Sequence, residues 1–465
     1  MSETPPTPPV DTTTQDTTQD AAAPPRIIAP GLRDRGLWLV GGLVVVIAAV
    51  AQAIGTLEIS LGVAALTLLP MIWALAMGVV VSVQRVRPLP VDLQHVANVI
   101  MGVAVLVLVA RLSFTLGPNI PFLLDAGPAL LLQEVGNIIG PICLALPLAV
   151  MLRMGSATVG ATFSVDREGA FAMVTERFGT NSQQYRGVLS MYIFGSVFGA
   201  VIISMIASLA SSLGIFDWRA LAMGAGVGSG SMMAAGSASV TAAHPEFADQ
   251  ILALSTTANL IASIAGVYLG MWVALPLADR FYRFLTRRQG DGETGATSAP
   301  SSKALKSSEA LATAVTDAPL VKLPLWVSLL IISVAGVVVS VVSSGSFSWD
   351  MVLTFVAISL LTAAGIGVAK LTRGKLPAII VVITVGTLLT VPASPVAPWL
   401  LEVSSSVDFL SVITMMLAVA GLSIGKDIPL LRQIGWKIIP VGIVVIVSTY
   451  LASTMIAEGV LRFIG

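Results

Sequence analysis

The sequence predicts an all-α polytopic membrane protein of about 11–12 membrane segments in two related halves, one segment being a Gly/Ser-rich re-entrant hairpin or broken helix. Three observations carry this prediction. Of 465 residues, 55% are hydrophobic and 11% charged, with a mean hydropathy of +0.92, well outside the range of soluble domains. Apolar windows long enough to cross about 30 Å of hydrocarbon recur along the chain. Between two of them lies "GAGVGSGSMMAAGSASV", Gly224 to Val240, in which large side chains are almost absent.

In chain order, residues 1–35 open with "MSETPPTPPVDTTTQDTTQD", rich in Pro, Thr and Asp and too poor in apolar groups to fold, so they form a disordered cytoplasmic tail. The first apolar run is followed at once by a second, which marks it as a span rather than a cleaved signal peptide. The windows of the first half (36–284) lie near Gly36 to Gly55, Leu61 to Ser82, Val96 to Phe114, Pro128 to Leu152, Gly187 to Leu213 and Ile251 to Ala278. A weakly hydrophobic stretch at 285–322 forms a cytoplasmic linker. The second half (323–465) carries windows near Leu323 to Val342, Met351 to Ala369, Ala378 to Val391, Val407 to Gly425 and Ile438 to Leu461. The two halves look related: "LWLVGGLVVV" after Gly36 is matched in pattern by "LWVSLLIISV" after Pro324, and "IPFLLD" is echoed by "APWLLE". Internal repeats are common in secondary transporters, which bind substrate between the copies.

Basic residues next to span ends mark the cytoplasm. Arg33 and Arg35, Arg85 and Arg87, Arg153 to Arg186, Arg280 to Arg288, Lys370 to Lys375 and Lys426 to Lys437 form such clusters, which places the N-terminus inside. The chain must then cross an even number of times between Arg186 and Arg280, where three apolar segments lie. The segment at 219–243, holding the Gly/Ser run, is therefore expected to enter and leave by one face. Glycine disfavours a regular helix by about 1 kcal/mol per residue relative to alanine, and non-helical backbone survives at membrane depth only inside protein or beside water. Such backbone can approach a ligand closely, and hydroxyls beside it can meet a carboxylate or a sodium ion. On this reading Gly228, Ser229, Gly230, Ser231 and Ser237 bind substrate, with Ser255 and Asn259 completing the site from a polar stripe at spacing four in the next helix. The competing reading is simple helix packing, because Gly224 and Gly228, like Gly226 and Gly230, stand four apart.

"ALAMGAGVGSGSMMAAGSASV" followed by "TTANLIASIAGVYLGMWVALPLADRF" resembles the Gly-rich re-entrant loop, next helix and basic exit of bacterial sodium-coupled glutamate symporters, and more distantly 2-hydroxycarboxylate symporters. Over a longer stretch, "GSATVGATFSVDREGAFAMVTERFGTNSQQYRGVLSMYIFGSVFGA" with the Gly/Ser run is similar to the domain-of-unknown-function 3100 family of bacterial membrane proteins, which brings no settled activity. The symporter resemblance implies an elevator-type carrier for an organic anion in the bacterial inner membrane. Those symporters have a re-entrant loop in each half, whereas the second half here lacks a matching Gly-rich run, so the symmetry of the site is not implied.

Intramembrane polar residues supply the ion-coupling candidates. Glu134 and Asn137 sit one turn apart in "LLLQEVGNIIGP", and Asp408 follows three serines at the start of the tenth span. A lone carboxylate at that depth is costly, so each should be paired, protonated or facing a cavity. The bland alternative has both acids capping helices in the headgroup zone, which already suits Asp125 and Glu402. The loop Phe163 to Gly187 reads as a solvated face with ion pairs.

Enzyme signatures are lacking. No G-x-S-x-G and no phosphate-binding G-x-x-x-x-G-K-[ST] occurs, and His95 and His244 are the only histidines. Cys143, the one cysteine, excludes intrachain disulfides, and the zero formal charge suggests no nucleic-acid partner. The expectation is a non-enzymatic secondary transporter of a small organic anion such as an amino acid or carboxylate, coupled to sodium or protons. No cofactor is expected beyond a bound sodium ion. Its partners would be the lipid bilayer and the solute, and a homodimer is compatible with this. The alternative is a channel or a non-transporting scaffold.

Overall fold

The computed structural model describes residues 27–31, 33–60, 65–164, 182–287, 320–373, 376–428 and 435–464, with positions 170, 173, 174, 177 and 178. Most of the expected tail over 1–35 and linker over 285–322 lies outside the described residues, as does much of the loop Phe163 to Gly187.

The first half comprises β1 (Ile27–Ile28), α1 (Arg35–Ile54), β2 (Leu57–Ser60), β3 (Ala65–Leu68), α2 (Pro70–Val83), α3 (Val91–Leu116), α4 (Ile120–Asp125), α5 (Gly127–Met151) and α6 (Ala157–Thr162). It continues with α7 (Gln183–Ser212), α8 (Trp218–Ala225), α9 (Gly230–Ala243), α10 (Ala248–Leu269) and α11 (Leu275–Thr286). The second half contains β4 (Leu320–Val321), α12 (Leu325–Ser344), α13 (Trp349–Leu371), α14 (Ala378–Thr390), α15 (Ala397–Ser404), α16 (Phe409–Ile424) and α17 (Ile438–Ile464).

Seven of these helices are long and apolar enough to span a membrane, and nine spans result if each of two bent pairs is one crossing. The chain is thus a multi-pass helical membrane protein whose outward apolar faces meet lipid. Exposed tryptophans at or beside helix starts, Trp38, Trp326, Trp349 and Trp436, suit the interfacial belt where an amphipathic ring is at home. The bent pairs are α10 with α11, at 55° across a π-helical turn at Gly270–Ala274, and α15 with α16, at 64°. The second half therefore also has a break, although serines rather than glycines mark it. Among the described residues of the window Leu61 to Ser82, β3 pairs with β2 and the helix α2 starts only at Pro70, running 14 residues to Val83. Fourteen residues rise about 21 Å, less than the about 30 Å of hydrocarbon.

The two segments aligned by sequence pattern lie side by side and point the same way. β1 pairs in parallel with β4, and Gln52 Nε2 at the far end of α1 donates to Ser343 Oγ of α12 at 3.0 Å. In contrast, α5 and α17 run antiparallel in backbone contact. A Cβ at Gly136 would stand 2.5 Å from the Ala452 carbonyl carbon, and one at Gly140 would stand 2.9 Å from the Ala452 side chain. Small residues create this closeness, since membrane helices gain from packing rather than from expelling water.

Candidate functional site

The Gly/Ser run folds as a hairpin. Asp217 caps α8 by accepting from Arg219 N at 2.8 Å and from Arg219 Nε and Nη2 at 3.0 Å each. Burial would raise the Asp217 carboxyl, but the bonds and charge of Arg219 outweigh it and hold the group below the usual carboxylate range. Beyond Ala225 the helix cannot continue through Gly226 to Ser229. Gly228 takes φ +74°, a left-handed conformation that a side chain would strain. Ser229 then caps α9, its Oγ accepting from Met232 N at 3.4 Å.

The second arm returns along the first. A Cβ at Gly236 would lie 3.1 Å from the Ala225 Cβ, which a straight-through helix would hold about 16 Å away. At the mouth, Trp218 stacks on Phe247 with ring centroids 4.4 Å apart, and Phe122 stacks on Trp218 at 6.0 Å. The two ends thus lie together, as the parity of basic clusters requires. Single cysteines placed at Arg219 and His244 in a Cys143→Ser background are expected to react with an impermeant maleimide from the same side of the membrane. Labelling from opposite sides would refute the hairpin.

Three helices fix the arms. Ser255 Oγ donates to Ala222 O at 2.8 Å, Ser204 and Ser239 share a 2.7 Å hydroxyl contact, and a Cβ at Gly224 would stand 3.1 Å from the Tyr450 carbonyl oxygen of α17. Ser237 is fully buried and donates to Ala234 O at 3.2 Å. Ser255 therefore ties α10 to the first arm, Ser237 bonds back within α9, and neither is at the tip. Gly224 and Gly226 serve packing, as the small-residue spacing suggested: a Cβ at Gly226 would lie 2.9 Å from Asn259 N.

The tip differs from the arms. Residues 220–227 and 232–240 are buried, whereas Gly228, Ser229, Gly230 and Ser231 are partly exposed. Asn259 Nδ2 donates to Gly226 O at 2.8 Å and to Gly228 O at 2.9 Å, so the carbonyls that end α8 are already satisfied. Opposite them stand the first amides of α9, the positive end of a 14-residue helix. The Ser229 and Ser231 hydroxyls meet there at 3.0 Å. With its acceptors occupied and its donors forward, the tip has the polarity that holds an anion.

Helix α3 runs past this tip. A Cβ at Gly230 would lie 3.3 Å from Val105 Cγ1, and Arg111, six residues on, stands about 9 Å further along the helix. Arg111 Nη2 donates to Val407 O at 3.2 Å, in the break between α15 and α16. The carboxylates of Asp249 in the first turn of α10 and Asp408 act on its charge from nearby. Asp408 occupies the N-cap position of α16 without a side-chain capping bond, and Arg111 is its charged neighbour. Sequence reasoning passed over Arg111. The available signal was a single cation interrupting the apolar run from Ile100 to Leu116.

Glu134 and Asn137 are brought together elsewhere, on α5. Asn137 Nδ2 donates to Glu134 Oε1 at 2.9 Å, and Glu134 is only 2% exposed. It lies seven residues inside α5, too deep for a headgroup cap. Its carboxylate faces α10, where a Cβ at Gly266 would come within 3.5 Å of Oε1. Asp408, by contrast, sits on α16 next to α3. Among the described residues no group of three His, Cys, Asp or Glu side chains could hold a metal ion.

A family model described as a protein of unknown function, DUF3100, matches residues 49–284. This interval runs from α1 through the hairpin to α11. No curated protein and no solved structure gives a significant match, so the likeness to glutamate symporters rests on the quoted residues alone.

Proposed function

As the chain belongs to the DUF3100 family, whose description names no activity, we propose from its own geometry that it is a secondary active transporter rather than an enzyme. The cargo is a small organic anion such as an amino acid or carboxylate, and the driving cation is sodium or a proton. The observation that supports this most is the hairpin tip, where Asn259 occupies the carbonyls and the N-terminus of α9 begins beside the Ser229 and Ser231 hydroxyls. A carboxylate placed there gains charge-assisted hydrogen bonds in a low-dielectric setting. Arg111 adds positive charge on the side toward the hairpin mouth. Glu134 and Asn137 serve the cation, with Asp408 balancing Arg111. The basic clusters support a cytoplasmic N-terminus and α11 end and an outward hairpin mouth, in a cell-membrane protein.

The scaffold or channel reading draws on Gly224 and Gly226, which do pack helices. Reconstituted vesicles separate the readings. Uptake of labelled dicarboxylates, amino acids and 2-hydroxy acids is expected to saturate and to require an inward sodium or proton gradient. Replacing Ser229 and Ser231 together by Ala is expected to reduce uptake at least about tenfold, the loss of one or two hydrogen bonds to a charged group, at unchanged expression. Gradient-independent, unsaturable flux would mark a channel, and absence of flux across the panel would mark a scaffold.

A further inference from the structure

The interface of α5, α17, the first hairpin arm α8 and α10 contains, besides Glu134 and Asn137, buried oxygen atoms of Gln133, Tyr450, Ser453 and Thr454. These four helices touch in a ring. Inside α5, Gln133 and Asn137 flank Gly136, the point of backbone contact with Ala452 and Ser453. From α17, Tyr450 and Thr454 lie on the face that meets Gly224 of α8, and Ser453 lies between that face and α5. All are buried: Gln133 is 1% exposed, Asn137 7%, and Tyr450, Ser453 and Thr454 0%. Gln133 Oε1, Asn137 Oδ1, Ser453 Oγ and the Tyr450 and Thr454 hydroxyls have no hydrogen-bond partner within the protein. The Asn137 amide, by donating to Glu134, turns its own oxygen toward other company.

Such a collection is unusual for a packed interior, where buried polar atoms are normally paired. Its chemistry is uniform: one carboxylate, two amide oxygens and three hydroxyls, with no nitrogen, sulfur or second acid among the acceptors. Oxygen-only ligands with a single negative charge suit a hard monovalent cation better than a divalent or transition metal. Two helices in backbone contact leave room only for a small ion. A proton acceptor, for its part, would need the carboxylate and not the neutral oxygens.

We propose that Gln133, Glu134, Asn137, Tyr450, Ser453 and Thr454 form a binding site for a sodium-sized alkali cation at the root of the hairpin. The site ties together α5, α17 and the arm α8, and Gly224 rests directly on Thr454. A cation held there fixes the arm that presents the tip, so the site deepens the carrier reading by locating the coupling ion, and only its role in coupling rests on that reading.

The test is binding without transport. The full chain in detergent micelles is titrated with sodium chloride against choline chloride at constant ionic strength, following the thermal midpoint, with equilibrium binding of radioactive sodium alongside. A saturable rise specific to sodium is expected, since a ligand that binds only the folded state stabilises it. Thr454→Val, nearly isosteric, and Glu134→Gln are expected to weaken apparent sodium affinity by about tenfold or more, whereas Thr454→Ser retains it and controls for folding. No sodium response in the unmodified chain, or an unaltered response in Thr454→Val, would overturn the site. Uptake driven by protons with no sodium binding would leave the carrier standing and remove this cation from it.

Discussion

Asn259→Asp is expected to abolish anion uptake while the protein still inserts and elutes as a single species. The Asn259 side chain is 6% exposed and spends its amide on two carbonyls, Gly226 O and Gly228 O. Aspartate has the same shape but, ionised, donates nothing. Both carbonyls would then stand unsatisfied, a cost of about 1–3 kcal/mol each, and a negative charge would sit beside the site meant for another. The tip changes from a donor surface to an acceptor surface. The arms should survive, because Ser255 to Ala222, Ser204 to Ser239 and the Trp218–Phe247 stack do not involve Asn259. A lowered thermal midpoint with intact uptake would show that Asn259 only packs and that the anion binds elsewhere. Asn259→Ala separates the two costs: it removes the donor without adding charge, so it should bind anion weakly where the aspartate does not bind at all.

The hairpin was legible in the sequence because two independent constraints met on one segment. Glycine and serine among aliphatic residues mark backbone that is not a plain span, and the basic clusters demand a return to the same face. The stripe of Ser255 and Asn259 was legible by helical spacing, and both contact the hairpin. Ser237 shows the limit of this kind of reading. It belongs to the same run of small residues, but α9 is regular from Gly230 onward and carries Ser237 two turns from the tip into full burial. The break before α16 contains no glycine and is set by tertiary contacts such as Arg111 to Val407, across 296 positions of sequence, which no local pattern reveals. The hydroxyls of α17 were hidden for a similar reason, since serine and threonine in an apolar helix ordinarily bond back to their own backbone, as Thr449 does to Val445 O at 2.7 Å.

Arg111 offers the sharpest separation of charge from structure. In Arg111→Leu the Val407 carbonyl loses its donor, and Asp408 and Asp249 lose the cation whose field reaches them. Asp408 is exposed at the start of α16, so its carboxylate left without that neighbour costs about 1 kcal/mol, less than a charge at the membrane centre. The single variant should therefore be both inactive and less stable, an ambiguous outcome taken alone. Adding Asp408→Asn removes the stranded charge, so the double variant Arg111→Leu, Asp408→Asn is expected to regain most of the lost thermal stability, the non-additivity of neighbouring charges. Uptake is expected to remain absent, because the positive charge about 9 Å along α3 from the hairpin tip is still missing. Recovery of stability and uptake together would show that Arg111 serves only to neutralise Asp408. Recovery of neither would assign it to the backbone of the α15–α16 break, with Val407 as its main partner. Stability restored without uptake is the pattern that makes Arg111 part of the anion's path.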